Sequence, residues 1–341
     1  MVTSVDWSGH SEKPNRQITL SLKNTLDGRS QEVEFLNGGR IEFRNHSKVN
    51  FIGVIFSTDI SENGDMHITA YDENIYLLKS VETRKFSKMK ASDIAKRLCA
   101  DFGIPAGQIA DTGYVIPTLI CREKSLYEIL LMALTVTRNQ TGKRFFIWSK
   151  NGRLMITTGS GQVSKYMIEA GTNILNANYS QSIEETKTRV KVFGGKDGKF
   201  VASARNGTLE NEIGIMQVVE KMNEDATKSQ VEQRAKQLLK ERAVIDDQAT
   251  VTALGIDEII TGTAVYVREP MTGIIGGYYV TNDSHRYENG SHIMTLQLSH
   301  TYDLPSIEVT KEELGVVKQK PKPAGRKRSS KTNSADEKAR K

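Results

Sequence analysis

Between residues 16 and 71 apolar side chains recur at every second position, the pattern of half-buried strands. Ile18, Leu20 and Leu22 alternate with Thr19, Ser21 and Lys23. Gly38-Gly39 separates candidate strands at 33–36 and 41–44, a more continuous apolar strand follows at 49–56, and Asn63-Gly64-Asp65 turns the chain into 67–71. Short strands at this spacing predict a small barrel or sandwich over residues 1–87. Asp6-Trp7-Ser8-Gly9 is expected to lay an aromatic on its edge.

From residue 88 the period lengthens. Ile94, Ala95, Leu98 and Phe102 share one face of a helix over 91–102 that Gly103 and Pro105 stop. A second helix starts at Ser125, with Glu128 completing a capping box and Leu126, Ile129, Leu130, Ala133 and Leu134 facing inward. Asn151-Gly152 joins a hairpin of 144–149 and 153–158. Residues 88–158 therefore read as a compact α+β domain, and Gly159-Ser160-Gly161 opens a linker over 159–175.

Residues 176–305 return to period two, with β-branched runs at 188–193, 213–219, 249–254 and 263–267. One helix, 225–243, interrupts them. Its Val231, Ala235, Leu238 and Leu239 form a stripe, and Thr227 with Gln230 makes a capping box, although Asn223 or Asp225 could cap instead. Asn289-Gly290 closes a hairpin whose last strand turns Met294, Leu296 and Leu298 to one side. The expectation is a closed or strongly curved sheet with that helix packed on it. The fold class is mainly β with an α+β insertion: two barrel-like modules, a small α+β domain and, over 306–341, an extended, disordered basic tail.

Composition changes this picture in one respect. The chain of 341 residues is 38% hydrophobic and 26% charged with a formal charge of +6. Ten Lys/Arg and two acids fall after Val317, so the tail carries +8 and the rest of the chain −2. The tail, with Pro321, Pro323 and no large apolar residue, is too poor in burial to fold. It has two readings, contact with nucleic acid or an acidic partner, and a solubilising end; without aromatics to stack on bases the second is preferred. No run approaches a membrane span, and the N-terminus lacks the basic and apolar regions of a signal peptide, so cytoplasmic synthesis is expected. Cys99 and Cys121 form no CxxC pair, and the sequence leaves open whether they join.

The search for chemistry finds no catalytic, cofactor-binding or metal residue to name. In the run 193–200 the Gly198-Lys199 pair lacks the upstream glycine and following hydroxyl of a phosphate loop, since those places hold Phe193 and Phe200. Residues 59–64 begin like a calcium loop, but Ala70 stands where the bidentate Glu belongs. His10, His46, His67, His285, His292 and His300 show no metal spacing and are expected on sheet surfaces, with His292 partly buried beside Met294. GxSxG and Cys/His signatures are absent, and no two carboxylates can be paired from sequence.

The order of parts resembles a tailed-phage baseplate hub protein of the XkdQ/YqbQ type. Val5-Asp6-Trp7-Ser8-Gly9, the segment 71–80 leading into Ala91-Ser92-Asp93-Ile94-Ala95, the segment 176–186 before Val190-Lys191-Val192-Phe193-Gly194, and the helix with its closing hairpin carry the likeness. Such hubs resemble the late control protein D and contractile-tail hub group. The resemblance implies two barrel-like tube domains per chain, at 1–87 and 176–305, with 88–158 peripheral. It implies a homotrimer whose six barrels continue a hexameric tail tube toward a central spike. Partners would be tail tube protein, spike, other baseplate proteins and a tape measure protein, in a virion or tail particle assembled in the host cytoplasm. The implied function is structural, not enzymatic. A cell-wall hydrolase or a carbohydrate-binding β module are the alternatives.

Overall fold

The computed structural model describes residues 1–158, 162–302 and 304–316. The expected disordered tail from 317 onward lies outside the described residues. In chain order the elements begin with β1 (Val2–His10), β2 (Arg16–Lys23), β3 (Arg40–Asn45), β4 (Lys48–Ile60) and β5 (Asp65–Tyr71). The middle of the chain forms α1 (Ile75–Lys79), β6 (Val81–Lys90), α2 (Ala91–Asp101), β7 (Ala106–Ile109), β8 (Val115–Ser125), α3 (Leu126–Thr141), β9 (Phe145–Lys150) and β10 (Arg153–Thr158). Then come β11 (Gln162–Glu169), β12 (Ile174–Ser182), β13 (Arg189–Gly194), β14 (Phe200–Arg205), α4 (Gly207–Ile213), β15 (Gln217–Lys221) and α5 (Lys228–Arg242). The chain closes with β16 (Asp246–Leu254), β17 (Thr263–Glu269), β18 (Ile274–Glu288) and β19 (Ser291–Ser299).

The two β-rich segments share one eleven-stranded sheet, ordered β12-β16-β19-β18-β1-β2-β5-β4-β3, with β17 on β18 and β11 on β17. The long strand β18 is the joint. Its first part pairs with β17 and its second, from Asn282 to Glu288, pairs antiparallel with β1 along the same edge. Each half curls around its own core. Val5, Trp7, Ile18, Leu20, Phe51 and Ile68 fill one, and Val251, Val265, Val267, Val280, Met294 and Leu296 fill the other. Among the described residues no ladder closes either half into a ring. Trp7, expected at an edge, is buried instead, because β1 lies between β2 and β18. The Asn151-Gly152 and Asn289-Gly290 turns both have positive φ at each position, as a type I′ turn requires.

The middle unit is built on α3. Ser125 Oγ accepts from Glu128 N at 3.2 Å while Glu128 Oε2 accepts from Ser125 N at 2.8 Å, the capping box read from sequence. The helix is buried nearly all round, packed against α1, α2 and β8. Three strands were not foreseen: β6 and β8, which pair with each other, and β7, which runs parallel to β10. The expected boundary at 87/88 therefore falls inside β6. Residues 304–316, expected to end the second β module at 305 and begin an extended tail at 306, instead strap this unit: Leu304, Ile307, Val309 and Leu314 pack on its core, and Ile120 N donates to Glu313 O at 2.7 Å. Cys99 and Cys121 are free and buried there, and burial pushes their thiols up to about 11 and about 12.

Four local expectations change. The stretch 159–175, read as a linker, contributes β11, parallel to β17. Residues 33–36 form a loop because the buried Asn24 side chain takes both backbone groups of Val33, at 2.7 and 3.0 Å. Of 213–219, only the part from Gln217 is strand; Asn206 caps α4 and Gly214, at positive φ, ends it. Most consequential, α5 does not pack on the large sheet. It covers a separate three-stranded sheet, β14-β13-β15, burying Val231, Ala235 and Leu238 against Val190 and Val192. Thr227 caps it, with Gln230 N donating to Thr227 Oγ1 at 3.4 Å. Gly194 is small for this reason, since a Cβ there would lie 2.5 Å from Val231 Cγ2.

Candidate functional site

The densest polar feature lies at the joint of the two sheet halves. Arg16, at the start of β2, sends Nη1 and Nη2 to Asp283 Oδ1 and Oδ2 of β18 at 2.9 and 2.5 Å, and its guanidinium stacks 4.1 Å over the Trp7 ring. Asp283 Oδ1 also accepts from Thr261 N and Thr261 Oγ1, both at 2.7 Å. Burial alone would raise this carboxyl, but the Arg16 charge outweighs it and holds Asp283 below the ordinary carboxylate range.

A chain of rings continues from there. His285 is fully buried, not on a sheet surface as expected. Its Nε2 lies 3.0 Å from Ile259 O, an acceptor, so Nε2 carries the proton. Burial pushes the ring down to about 4, so it stays neutral, and Nδ1 accepts from His292 Nε2 at 3.0 Å. His292 stacks on Tyr287 at 4.0 Å and faces Asp257 Oδ1 at 3.5 Å; Tyr287 donates to the same oxygen at 2.7 Å. The signal for this cluster was in the sequence. Asp283, His285 and Tyr287 alternate with Ser284 and Arg286, so all three share the inward face of β18.

On the other side of Arg16, its backbone N donates to Asp72 Oδ2 at 2.9 Å, and Asn74 N donates to Oδ1 at 3.1 Å. Burial raises Asp72 to about 7. Between this cluster and the β9–β10 hairpin lies a cavity of about 280 Å³ bordered by Trp7, Arg16, Asn50, Trp148, Asp257 and Glu258.

These groups do not make a hydrolytic pair. Glycoside hydrolysis needs one carboxyl kept protonated beside a second that is ionised. Asp257 is pushed up by burial but held below its ordinary range by hydrogen bonds led by Asn50 and Tyr287. Glu258 is held low by Lys48, 2.7 Å away. Asp72, the carboxyl with raised affinity for a proton, is buried with both oxygens on backbone N–H groups. The arrangement clamps two halves of a sheet together.

The remaining sequence candidates resolve simply. Residues 195–199 turn β13 into β14, and Asn63-Gly64 turns β4 into β5. His46, His67 and His300 are exposed and His10 and His292 half-buried. Among the described residues no group of three or more His, Cys, Asp or Glu could hold a metal ion, and no helix is long and apolar enough to cross a membrane.

The architecture defines the class, that of a phage tail-protein fold. The 43 kDa tail protein of prophage MuSo2 from Shewanella oneidensis superposes with a TM-score of 0.66 at 14% identity, over 89% of this chain and 96% of that one. The Escherichia coli c3393 protein, a type VI secretion component, gives a TM-score of 0.51 at 10% identity, over 90% of this chain and 74% of that one. A family model described as YqbQ-like matches residues 5–299, and the chain belongs to that family. Two Bacillus subtilis (strain 168) proteins, YqbQ and the phage-like element PBSX protein XkdQ, are 31% and 32% identical over 305 residues, covering 89% of this chain and 93% of each relative.

Proposed function

We propose that this chain is the structural hub of a phage or phage-derived tail, a homotrimer that joins the tail tube to the central spike and anchors the baseplate. Each half of the sheet, β1–β5 and β11–β12 with β16–β19, serves as one tube domain, and the α3-centred unit stays peripheral. The observation that supports this most is the β1–β18 ladder with the Arg16–Asp283 clamp. It fixes the two halves relative to each other, as a rigid segment of tube wall would need. Family membership and the shared tail-protein fold support the same reading. Tail tube protein, spike and neighbouring baseplate proteins are the proposed partners, and the particle is its proposed location. The role lies in interfaces and not in turnover.

Reconstruction of the particle's tail tip without imposed symmetry tests this. Three copies around the channel, giving six sheet halves, are expected. Six copies of the chain, or one copy off the axis, would overturn the proposal.

A further inference from the structure

The sheet β14-β13-β15 is covered by α5 on one face only. Strand alternation puts Arg189, Lys191 and Phe193 on the other face, with Val201, Ser203 and Arg205 of β14 and Gln217, Val219 and Lys221 of β15 beside them. Val201 and Val219 are 50% and 55% exposed on either side of β13. Arg189, Lys191, Arg205 and Lys221 are interleaved with these apolar side chains, Lys191 in the middle of the face between Ser203 and Val219. Glu210 accepts from Arg189 Nε and Nη2 at 2.9 and 3.1 Å and lies 3.8 Å from Arg205. Arg189 and Arg205 are direct cross-strand partners, an arrangement of like charges that weakens a sheet unless something offsets it. A shallow concavity of about 470 Å³ opens over Arg189, Lys191, Ser203 and Arg205.

The root of the same unit carries the complement. Where the chain leaves β12 and returns into β16, Glu184, Glu185, Asp246 and Asp247 are exposed around Ile183 and Val244, themselves 40% and 59% exposed. The two stems are fixed to each other: Thr186 Oγ1 donates to Val244 O and Lys187 N to Arg242 O, both at 2.9 Å. Lys187, the nearest cation in sequence, has Nζ on Glu184 O at 3.2 Å. Among the described residues no ion pair joins the acidic root to the basic face.

We propose that the basic face of one copy docks on the acidic root of a second copy of this chain. Each patch mixes exposed apolar side chains with charges, and the charges are opposite in sign, which favours this pairing and steers it. The two patches differ, so the contact is head-to-tail and continues until a ring closes. With three copies it closes the trimer proposed above, and only that closure rests on the earlier reading. A nucleic acid fits this face less well, because it offers one ring for base stacking, Phe193, with the Lys191 ammonium 5.1 Å from its centre.

Sedimentation velocity of the full chain at low and high salt tests the contact. The wild type is expected to self-associate at low salt and dissociate as salt screens the opposed charges. Lys191→Glu/Arg205→Glu and Glu184→Lys/Glu185→Lys should each sediment as monomers with unchanged circular dichroism. The quadruple variant, with both signs reversed, should associate again. A wild type that stays monomeric at low salt, or association that survives in the Lys191→Glu/Arg205→Glu variant, overturns the contact. The copy number in the particle is decided separately by the tail-tip reconstruction, so the two readings fail independently.

Discussion

Arg16 and Asp283 are 267 positions apart in the chain and form a two-pronged ion pair in the interior of a single sheet. The room for it comes partly from Gly9, where a Cβ would lie 2.4 Å from Arg16 Nη1. Removing one member of a buried pair strands the other charge without water, which costs about 3–5 kcal/mol. Asp283→Ala should therefore lose about that much in urea unfolding. An Arg16→Met/Asp283→Leu double variant should recover most of it, because apolar replacements leave no stranded charge. A loss under about 0.5 kcal/mol for Asp283→Ala, the range of surface substitutions, would show that the pair does not clamp the halves.

The same cluster makes stability depend on pH in two opposed ways. Burial raises Asp72 from 3.8 to about 7, so between those values the folded state holds a proton that the unfolded state has lost, and stability falls as pH rises. Burial lowers His285 from 6.5 to about 4, so across that window the unfolded state holds the extra proton and stability rises with pH. The two contributions offset each other in the wild type. Asp72→Asn should expose the rising limb between about pH 4 and 6.5. His285→Gln should expose the falling limb between about pH 4 and 7. Urea midpoints across a pH series read both; a flat profile in both variants would refute the assignment.

The inserted unit offers a test of its own small core. Leu238 is buried against β13 and β14 while Leu239 is half-buried at the margin. Leu238→Ala should cost about 2–5 kcal/mol and Leu239→Ala clearly less. Hydrogen exchange should show the loss concentrated in β13–β15 and α5, leaving β16 and β19 protected. Equal deprotection of β16 would mean that the helix supports the large sheet after all.

That outcome bears on what the sequence could convey. The stripe Val231, Ala235, Leu238 and the Thr227 cap are local, so the helix was legible to within a few residues. Its partner was not, because period two in 188–193 and 249–254 is the same whether those strands share a sheet or belong to two. Asn289-Gly290 was readable because a type I′ turn has its own residue chemistry. The β1–β18 ladder was not, since nothing local in Val2–His10 records a partner almost a whole chain away. Residues 304–316 were misread for a related reason. Leu304, Ile307, Val309 and Leu314 are apolar at spacings that fit neither period, so their docking on α3 left no periodic trace.

The strap 304–316 and the segment beyond it should therefore behave differently on truncation. The strap covers the outer side of α3, with Ile307 N donating to Thr135 Oγ1 at 3.4 Å and four apolar side chains on the core. Ending the chain after Tyr302 would expose Leu131, Leu134 and their neighbours, which border the same groove as Leu304. Burying a leucine-sized side chain contributes about 1.5–3 kcal/mol, so losing several should lower the melting temperature by several degrees or more. Ending it after Val316 removes the net charge of +8 but no large apolar residue beyond Val317, and should leave the melting temperature nearly unchanged. Differential scanning calorimetry on both truncations decides it. A drop in the shorter truncation equal to that in the longer would mean the basic segment stabilises the body. No drop in either would mean that the strap rests on α3 without supporting it.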